Sequence, residues 1–174
     1  MNTVNVLKDL KDFLSENVAN EIKLKSPDDN NVNSYALVNP AVFIGWLPPK
    51  GYLPSMFESS IPCIVVGMDN GADNTKKSTI DLKISFATFS PGEYEEKEGQ
   101  AFTPSFNGYI DLVNLIDKTK AALSKNRILA SKYTLEDDIR FGMYEEQPYP
   151  YWYGFMTFSV KGSSYPITDI EKQL

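Results

Sequence analysis

The chain has 174 residues, 42% of them hydrophobic and 13% aromatic, which suits one domain with a substantial apolar core. Its formal net charge of −6 gives it no electrostatic attraction for nucleic acid or for an anionic membrane. Because it contains no histidine, it cannot form a Ser-His-Asp or Cys-His catalytic site from its own residues. Its one cysteine, Cys63, cannot form an intramolecular disulfide, which is typical of proteins from a reducing compartment.

The first predicted element is an amphipathic helix within residues 1–25. Apolar residues recur there every three or four positions: Val4, Leu7, Leu10, Phe13, Leu14, Val18 and Ile22. The turn formers of residues 26–34, SPDDNNVNS, predict a loop after this helix. Pro40 interrupts the next apolar run, so we expect an edge strand there or a strand that begins after the proline.

Two strands are predicted in the middle of the chain. Residues 62–69 form a short, almost continuously apolar run, which suits a central strand with Cys63 buried as a small hydrophobe. Residues 79–86 alternate between polar and apolar side chains, which is the period of a half-buried strand. Asn70-Gly71 is predicted to lie at the tip of the hairpin between them, since this dipeptide favours tight hairpin turns.

A second helix and two more strands are predicted after this hairpin. Residues 107–125 have helical periodicity, with Asn107 as the expected N-cap. A short strand is expected over residues 129–135, and residues 138–144 alternate as a further strand does. Residues 161–174 are polar and are expected to form a loose tail or a short arm.

These elements predict a single α+β domain over residues 1–174. The helix of residues 107–125 connects two pairs of strands. The simplest arrangement is a single mainly antiparallel sheet of four to five strands with the helices packed on one face.

The segment EEQPYPYWYGFMTFSV, residues 145–160, concentrates aromatic residues ahead of a strand pattern. The face expected to join the core carries Trp152, Met156, Phe158 and Val160, and the opposite face carries Tyr151, Tyr153, Phe155, Thr157 and Ser159. The second face suits a half-covered sheet surface or a subunit interface, and a carbohydrate or peptide groove is a third alternative. The interface candidates are Trp46, Leu47, Pro48, Pro49, Tyr149, Tyr151, Tyr153 and Phe155.

No catalytic, cofactor-binding or metal-binding residues are predicted. Carboxylates for a hydrolase are present, but their spacing does not demand that chemistry: Glu136, Asp137, Asp138, Glu145 and Glu146. The run MDNGAD lacks the alternating ligands and the terminal glutamate of a calcium loop, and glycine-rich nucleotide-binding motifs are missing. No apolar run approaches the roughly 20 residues that a membrane-spanning helix needs.

Five segments together carry a resemblance to a known family: NPAVFIGWLPPK, IPCIVVGMDNG, STIDLKISFATFSPG, GYIDLVNLIDKTKAAL and YEEQPYPYWYGFMTFSV. In that order, over roughly residues 37–160, they resemble the tail-terminator (head-to-tail joining, tail-completion) proteins of long-tailed phages and prophages of Gram-positive hosts. The GWLPPK loop and the EEQPYPYW strand are the most specific pieces of the resemblance.

The resemblance implies an α+β subunit that assembles into a ring, typically a hexamer, at the head-proximal end of the phage tail tube. The implied partners are copies of the same chain, the tail tube protein and a head-completion protein. DNA would pass through the lumen without specific binding, and an acidic ring would repel it. The implied location is the virion, reached after assembly in the host cytoplasm, and neither a cofactor nor a membrane is implied.

Two alternatives stay open from the sequence. Within a virion, the chain could instead be another head-closure, neck or minor tail-completion protein. Outside virions, it could be a binding module with an aromatic stacking platform formed by Tyr149, Tyr151, Trp152 and Tyr153. A ring-forming subunit is expected to oligomerise with concentration, whereas a sugar-binding module is expected to stay monomeric and to shift its tryptophan fluorescence with ligand.

Overall fold

The structure is a computed structural model that describes residues 1–28, 31–46, 61–74, 76–92 and 106–164. For residues 31–33 it describes the backbone but not the side chains. These residues form two α-helices, α1 (Thr3–Asn17) and α2 (Tyr109–Lys125), and a short 3₁₀ helix at Ala19–Glu21. They also form eight strands: β1 (Leu24–Asp28), β2 (Asn31–Val38), β3 (Ala41–Ile44), β4 (Cys63–Asp73), β5 (Lys77–Phe89), β6 (Ile128–Leu129), β7 (Tyr133–Met143) and β8 (Tyr151–Ser163).

The predicted fold, an α+β chain with a single mainly antiparallel sheet of four to five strands, is wrong. The described part of the chain is mostly β, and its strands form two sheets. The larger is a curled, mixed sheet of six strands in the order β3-β4-β5-β8-β7-β6, while β1 and β2 form a separate two-stranded sheet. Within the large sheet, β3 and β4 run parallel and the other neighbouring strands run antiparallel.

Two features of the sequence explain this error. The turn-rich residues 26–34, predicted to be a loop, contain parts of β1 and β2. Pro27 lies inside β1, which pairs on one side only, and such edge strands tolerate a proline. The parallel pair β3–β4 needs a long crossover connection, and the segment between residues 44 and 63 supplies it without a local signal of strand direction. Pro40 directly precedes β3, an edge strand, as predicted.

Helix α1 begins where the side chain of Asn2 accepts a hydrogen bond from the Asn5 N–H at 3.1 Å. Its buried stripe is Val6, Leu10 and Leu14, spaced four residues apart. Val4, predicted to lie on this stripe, is instead exposed. The helix is also shorter than the predicted range 1–25, since it ends at Asn17 and β1 begins at Leu24.

A single core joins both helices to one face of the six-stranded sheet. Ile84 of β5 and Met156 of β8 are fully buried in it, together with Leu112 and Leu115 of α2 and the stripe of α1. Gly154 lets α2 approach β8 closely, because a Cβ there would lie 2.9 Å from the Ile116 Cδ1. The predicted packing of the helices on one sheet face is therefore found, although the sheet itself differs.

Three predicted boundaries also differ from the structure. Asn70-Gly71 lies inside β4, which has a β-bulge between Met68 and Asn70 and continues to Asp73, so the dipeptide is not the hairpin tip. Gly108, not Asn107, occupies the N-cap position of α2. Strand β8 continues to Ser163, so the predicted tail cannot begin at residue 161, and residues 165–174 lie outside the described part.

Candidate functional site

The face of the six-stranded sheet that points away from the helices is the candidate functional site, and we call it the distal face. Strand residues alternate between the two faces, so the neighbours of core residues Ile84 and Met156 point away from the helices. One register row across the distal face consists of Phe43, Val65, Ser85, Phe155 and Gly142. The adjacent row consists of Ala41, Cys63, Ala87 and Tyr153.

Strand β8 supplies the aromatic side chains of the distal face. Tyr151, Tyr153 and Phe155 are half-buried, whereas Trp152, Met156, Phe158 and Val160 on the other side are buried, as the alternation predicted. The Tyr151 ring packs on Phe89 at 5.5 Å between centroids, and the Phe155 ring packs on Tyr144 at 5.4 Å. These contacts fix the rings while leaving part of each exposed, as is common at the centre of protein interfaces.

The turn before β8 is held by the side chain of Gln147. Its Nε2 donates hydrogen bonds to the carbonyls of Tyr144 at 2.6 Å and Tyr153 at 2.9 Å. Its Oε1 accepts a hydrogen bond from the Tyr153 N–H at 2.7 Å. One amide side chain therefore links β7, the turn and β8, and it fixes where Tyr144 and Tyr153 enter the distal face.

Burial affects two ionisable groups on this face. Cys63 is buried, and the loss of solvation raises the pKa of its thiol to about 12. The thiol therefore stays neutral and unreactive at physiological pH, which confirms the prediction of a small core hydrophobe. Burial also raises the pKa of Tyr153, with smaller contributions from Tyr151 and Cys63. The centre of the face thus carries no ionised group from these residues at neutral pH.

The polar end of the distal face lies beyond these rows. Lys83, Thr157 and Arg140 form the next row, followed by Asp81 and Ser159, whose hydroxyl donates to the Asp81 carboxylate at 2.5 Å. This end opens into a cleft of about 350 Å³ lined by Asp69, Asp81, Leu82, Glu136, Asp138, Arg140, Thr157, Phe158 and Ser159. An apolar centre with a polar margin is the usual composition of a protein–protein interface.

The carboxylates considered for hydrolysis do not form a metal site within the described residues. Glu136 forms an ion pair with Lys161, and Asp137 forms one with Arg127 at 2.9 Å. Glu145 and Glu146 are exposed. No group of three or more histidine, cysteine, aspartate or glutamate side chains in the described ranges is placed to hold a metal ion.

The structure brings only some of the predicted interface residues together. The distal face contains Tyr151, Tyr153 and Phe155. Tyr149 lies before the start of β8, and its hydroxyl donates to the Pro91 carbonyl at 3.1 Å. Trp46 follows the end of β3 and is 69% exposed. The other three candidates, Leu47, Pro48 and Pro49, lie outside the described residues.

Sequence reasoning missed three members of the distal face: Phe43, Val65 and Tyr144. Phe43 and Val65 meet the β8 aromatics only because β3, β4, β5 and β8 are adjacent in the sheet, which no local pattern indicates. Tyr144 follows β7 directly, and its backbone N–H donates to the Tyr153 carbonyl at 3.1 Å. The two strands predicted within residues 138–160 are separated by a short connection, as in a hairpin. This spacing is the one sequence signal for the contact between Tyr144 and Tyr153.

Trp152 does not lie on the distal face. It is only 9% exposed, and its Nε1 donates a hydrogen bond to the Ser90 carbonyl at 2.8 Å. Its ring contacts Tyr109 of α2 edge-on. The stacking platform of Tyr149, Tyr151, Trp152 and Tyr153 considered from the sequence is therefore wrong as a set, because Trp152 belongs to the core.

Comparison with models of known protein families finds no match for this chain, and comparison with curated proteins finds none either. Among the helices that the structure describes, none is long and apolar enough to cross a membrane.

Proposed function

We propose that the protein is a phage structural protein, a tail terminator whose copies form a ring at the head-proximal end of the tail tube and join the tail to the head. Its partners would be further copies of itself, six to a ring as the resemblance implies, the tail tube protein and a head-completion protein. The resemblance of the five sequence segments supports this assignment. The distal face is the structural observation that carries it.

The distal face supports assembly because its aromatic rings are positioned but incompletely covered. Both helices pack on the opposite face of the sheet, and Phe43, Val65 and Phe155 stay half-buried in one row. Covering the remaining part of such a ring with a second subunit is worth about 1 kcal/mol per residue. Several partly covered apolar side chains on one face therefore contribute binding energy together. Each contact between neighbouring subunits in the assembled oligomer adds this contribution once more.

The charge of the subunit fits a channel for DNA better than a DNA-binding surface. At −6 per chain, a ring of subunits carries a large negative charge. Such a ring repels the phosphate backbone, so DNA passes through the lumen without being held. Neutralising acidic residues on the lumen side should then slow DNA ejection, and an unchanged ejection rate would contradict this part of the proposal.

The function is tested by adding the purified protein to terminator-free tail tubes of the phage that encodes it. Electron microscopy should show a ring on one end of each tube, and tube growth should stop at a uniform length. A protein that leaves tube length unchanged and binds only to filled heads would instead be a head-closure protein. Binding to neither structure would contradict any role in joining tail to head.

A further inference from the structure

Strand β2 has an outer edge that no described strand covers. The small sheet contains β1 and β2 only, and the side chains of residues 34–38 are all exposed. The hairpin is anchored at β1, where the Lys25 Nζ contacts the Asp111 carboxylate at 3.2 Å and the Ser90 hydroxyl at 3.0 Å. It therefore presents the backbone N–H and C=O groups of β2 in a fixed position.

The sequence of β2 lacks the features that normally protect an exposed edge strand. Residues 31–38, NVNSYALV, contain no charge, no proline and no glycine. Tyr35 and Leu37 point to one face of the strand, and Leu37 is 57% exposed. Edge strands that stay in water usually carry a lysine, a proline or a bulge, because an unprotected edge pairs with another strand. The edge of β2 therefore has the properties of a pairing site.

The same chain offers a second open edge. Strand β7 pairs with β8 on one side, but on its other side it pairs with β6 only at Tyr133 and Thr134, and the Leu135 N–H donates to the Arg127 carbonyl. Residues 136–143 thus have no strand on that side among the described residues, and the part of them that pairs regularly with β8 is Ile139–Met143, because the register shifts between Leu135 and Ile139. Two carboxylates of this stretch, on Glu136 and Asp137, are already paired with cations of the same chain.

The exposed apolar side chains of the two edges have the same spacing. Phe141 and Met143 are two residues apart on β7 and are both exposed, as are Tyr35 and Leu37 on β2. In a sheet, apolar pairs of this kind stabilise two neighbouring strands by roughly 0.2–1 kcal/mol each. The backbone groups of both edges would gain hydrogen-bond partners at the same time.

We propose that β2 of one copy adds to the open edge of β7 in the next copy, so that strand pairing forms the contact between neighbouring subunits. This inference rests on the proposed ring, because joining two different edges is a heterologous contact that can continue from copy to copy and close. Pairing β2 with another β2 would be isologous and would stop at a dimer. One strand pair covers less than the 1,200 Å² or so of a stable interface, so it acts together with the distal face.

Disulfide crosslinking between two variants tests this contact directly. A Leu37→Cys chain is mixed with a chain carrying a cysteine at Ile139, Phe141 or Met143, which lie on one face of β7. Residues directly opposite on neighbouring strands have Cα atoms about 4.5–5.5 Å apart, which suits a disulfide. The native Cys63 can stay, because its thiol is buried. Mild oxidation should give a mixed dimer with one or two of the three partners.

The controls separate this contact from chance collision and from other assemblies. Tyr109→Cys on α2 is comparably exposed and should not crosslink to Leu37→Cys. A crosslink of Leu37→Cys with itself would show β2–β2 pairing and would overturn the proposal, as would no crosslink to any β7 position. If light scattering shows that the wild-type chain forms a hexamer and these crosslinks are absent, the strand contact is wrong while the proposed function stands.

A charge introduced at the edge gives a second test. Leu37→Lys should abolish oligomers at concentrations where the wild-type chain forms them, because the ammonium group would face the neighbouring strand. Val4→Lys is the matched control, since Val4 on α1 is equally exposed and lies on neither edge. Equal oligomer formation by both lysine variants would contradict the strand contact.

Discussion

Replacing Phe155 with aspartate tests whether this residue of the distal face lies in a subunit interface or in the core of the subunit. The Phe155 ring is half-buried, packs on Tyr144 at 5.4 Å and lies opposite Gly142 and Ser85 in the sheet. Since the ring is only partly covered within the subunit, the substitution should lower the free energy of unfolding by roughly 1–2 kcal/mol. The new carboxylate remains in contact with water in the monomer, so it should not unfold the chain.

The same substitution should act much more strongly on assembly. In a ring contact that covers the distal face, the Phe155→Asp carboxylate would be buried without a partner, which costs several kcal/mol at each contact. A penalty of 4 kcal/mol corresponds to a roughly thousandfold weaker association. The oligomer should therefore disappear at concentrations where the wild-type chain assembles.

Urea denaturation of the subunit and light scattering of the same samples measure both effects. Ile110→Asp is the matched control, because Ile110 is an exposed apolar residue on α2, away from the distal face. It should change neither quantity by much. If Phe155→Asp unfolds the subunit, Phe155 belongs to the core; if the variant assembles like the wild type, the distal face is not the interface.

Three further predictions concern buried residues of the six-stranded sheet. Gly154→Ala should lower the free energy of unfolding by roughly 1–3 kcal/mol in urea, because the new Cβ would lie 2.9 Å from both the Gly142 carbonyl oxygen and the Ile116 Cδ1; an unchanged midpoint would contradict the close packing around Gly154. Trp152→Phe removes the hydrogen bond to the Ser90 carbonyl and should cost roughly 1–3 kcal/mol without weakening assembly; a loss of oligomer at full stability would place Trp152 in the interface. The Cys63 thiol should resist thiol reagents at neutral pH until the chain unfolds. Since its pKa rises from 9.0 unfolded to about 12 folded, the thiol contributes stability that is complete below pH 9 and falls by roughly 1.4 kcal/mol per pH unit above it. Cys63→Ala should remove that part of the alkaline slope, and an identical slope in both proteins would contradict the shift.

The parts of the fold that depend on local patterns could be predicted from the sequence. The alternation of residues 151–160 correctly separated core from distal face, because side chains in a strand alternate regardless of its neighbours. The strand of residues 79–86 was found by the same alternation, and the helix of residues 107–125 was found by its own period of three to four residues. The phase of α1 was wrong at Val4, since its periodicity allowed two neighbouring stripes and only packing selects between them.

The parts that depend on distant pairing could not be predicted. The six-strand order places Phe43 and Val65 beside Ser85 and Phe155, although these residues are far apart in the sequence. The hairpin turn lies beyond Asn70-Gly71, because the pairing of β4 with β5 continues to Asp73 and Ser78, and no local pattern shows where such pairing ends. The sequence therefore predicted the β8 residues of the candidate site, but not the residues that the neighbouring strands contribute to it.

The central claim is that the subunits assemble through the distal face, and mass in solution tests it most directly. Light scattering across a concentration series should show a species near six times the 19.6 kDa subunit for the wild-type chain and only monomer for Phe155→Asp. A wild-type chain that stays monomeric at every concentration, both alone and with tail tubes, would contradict the account.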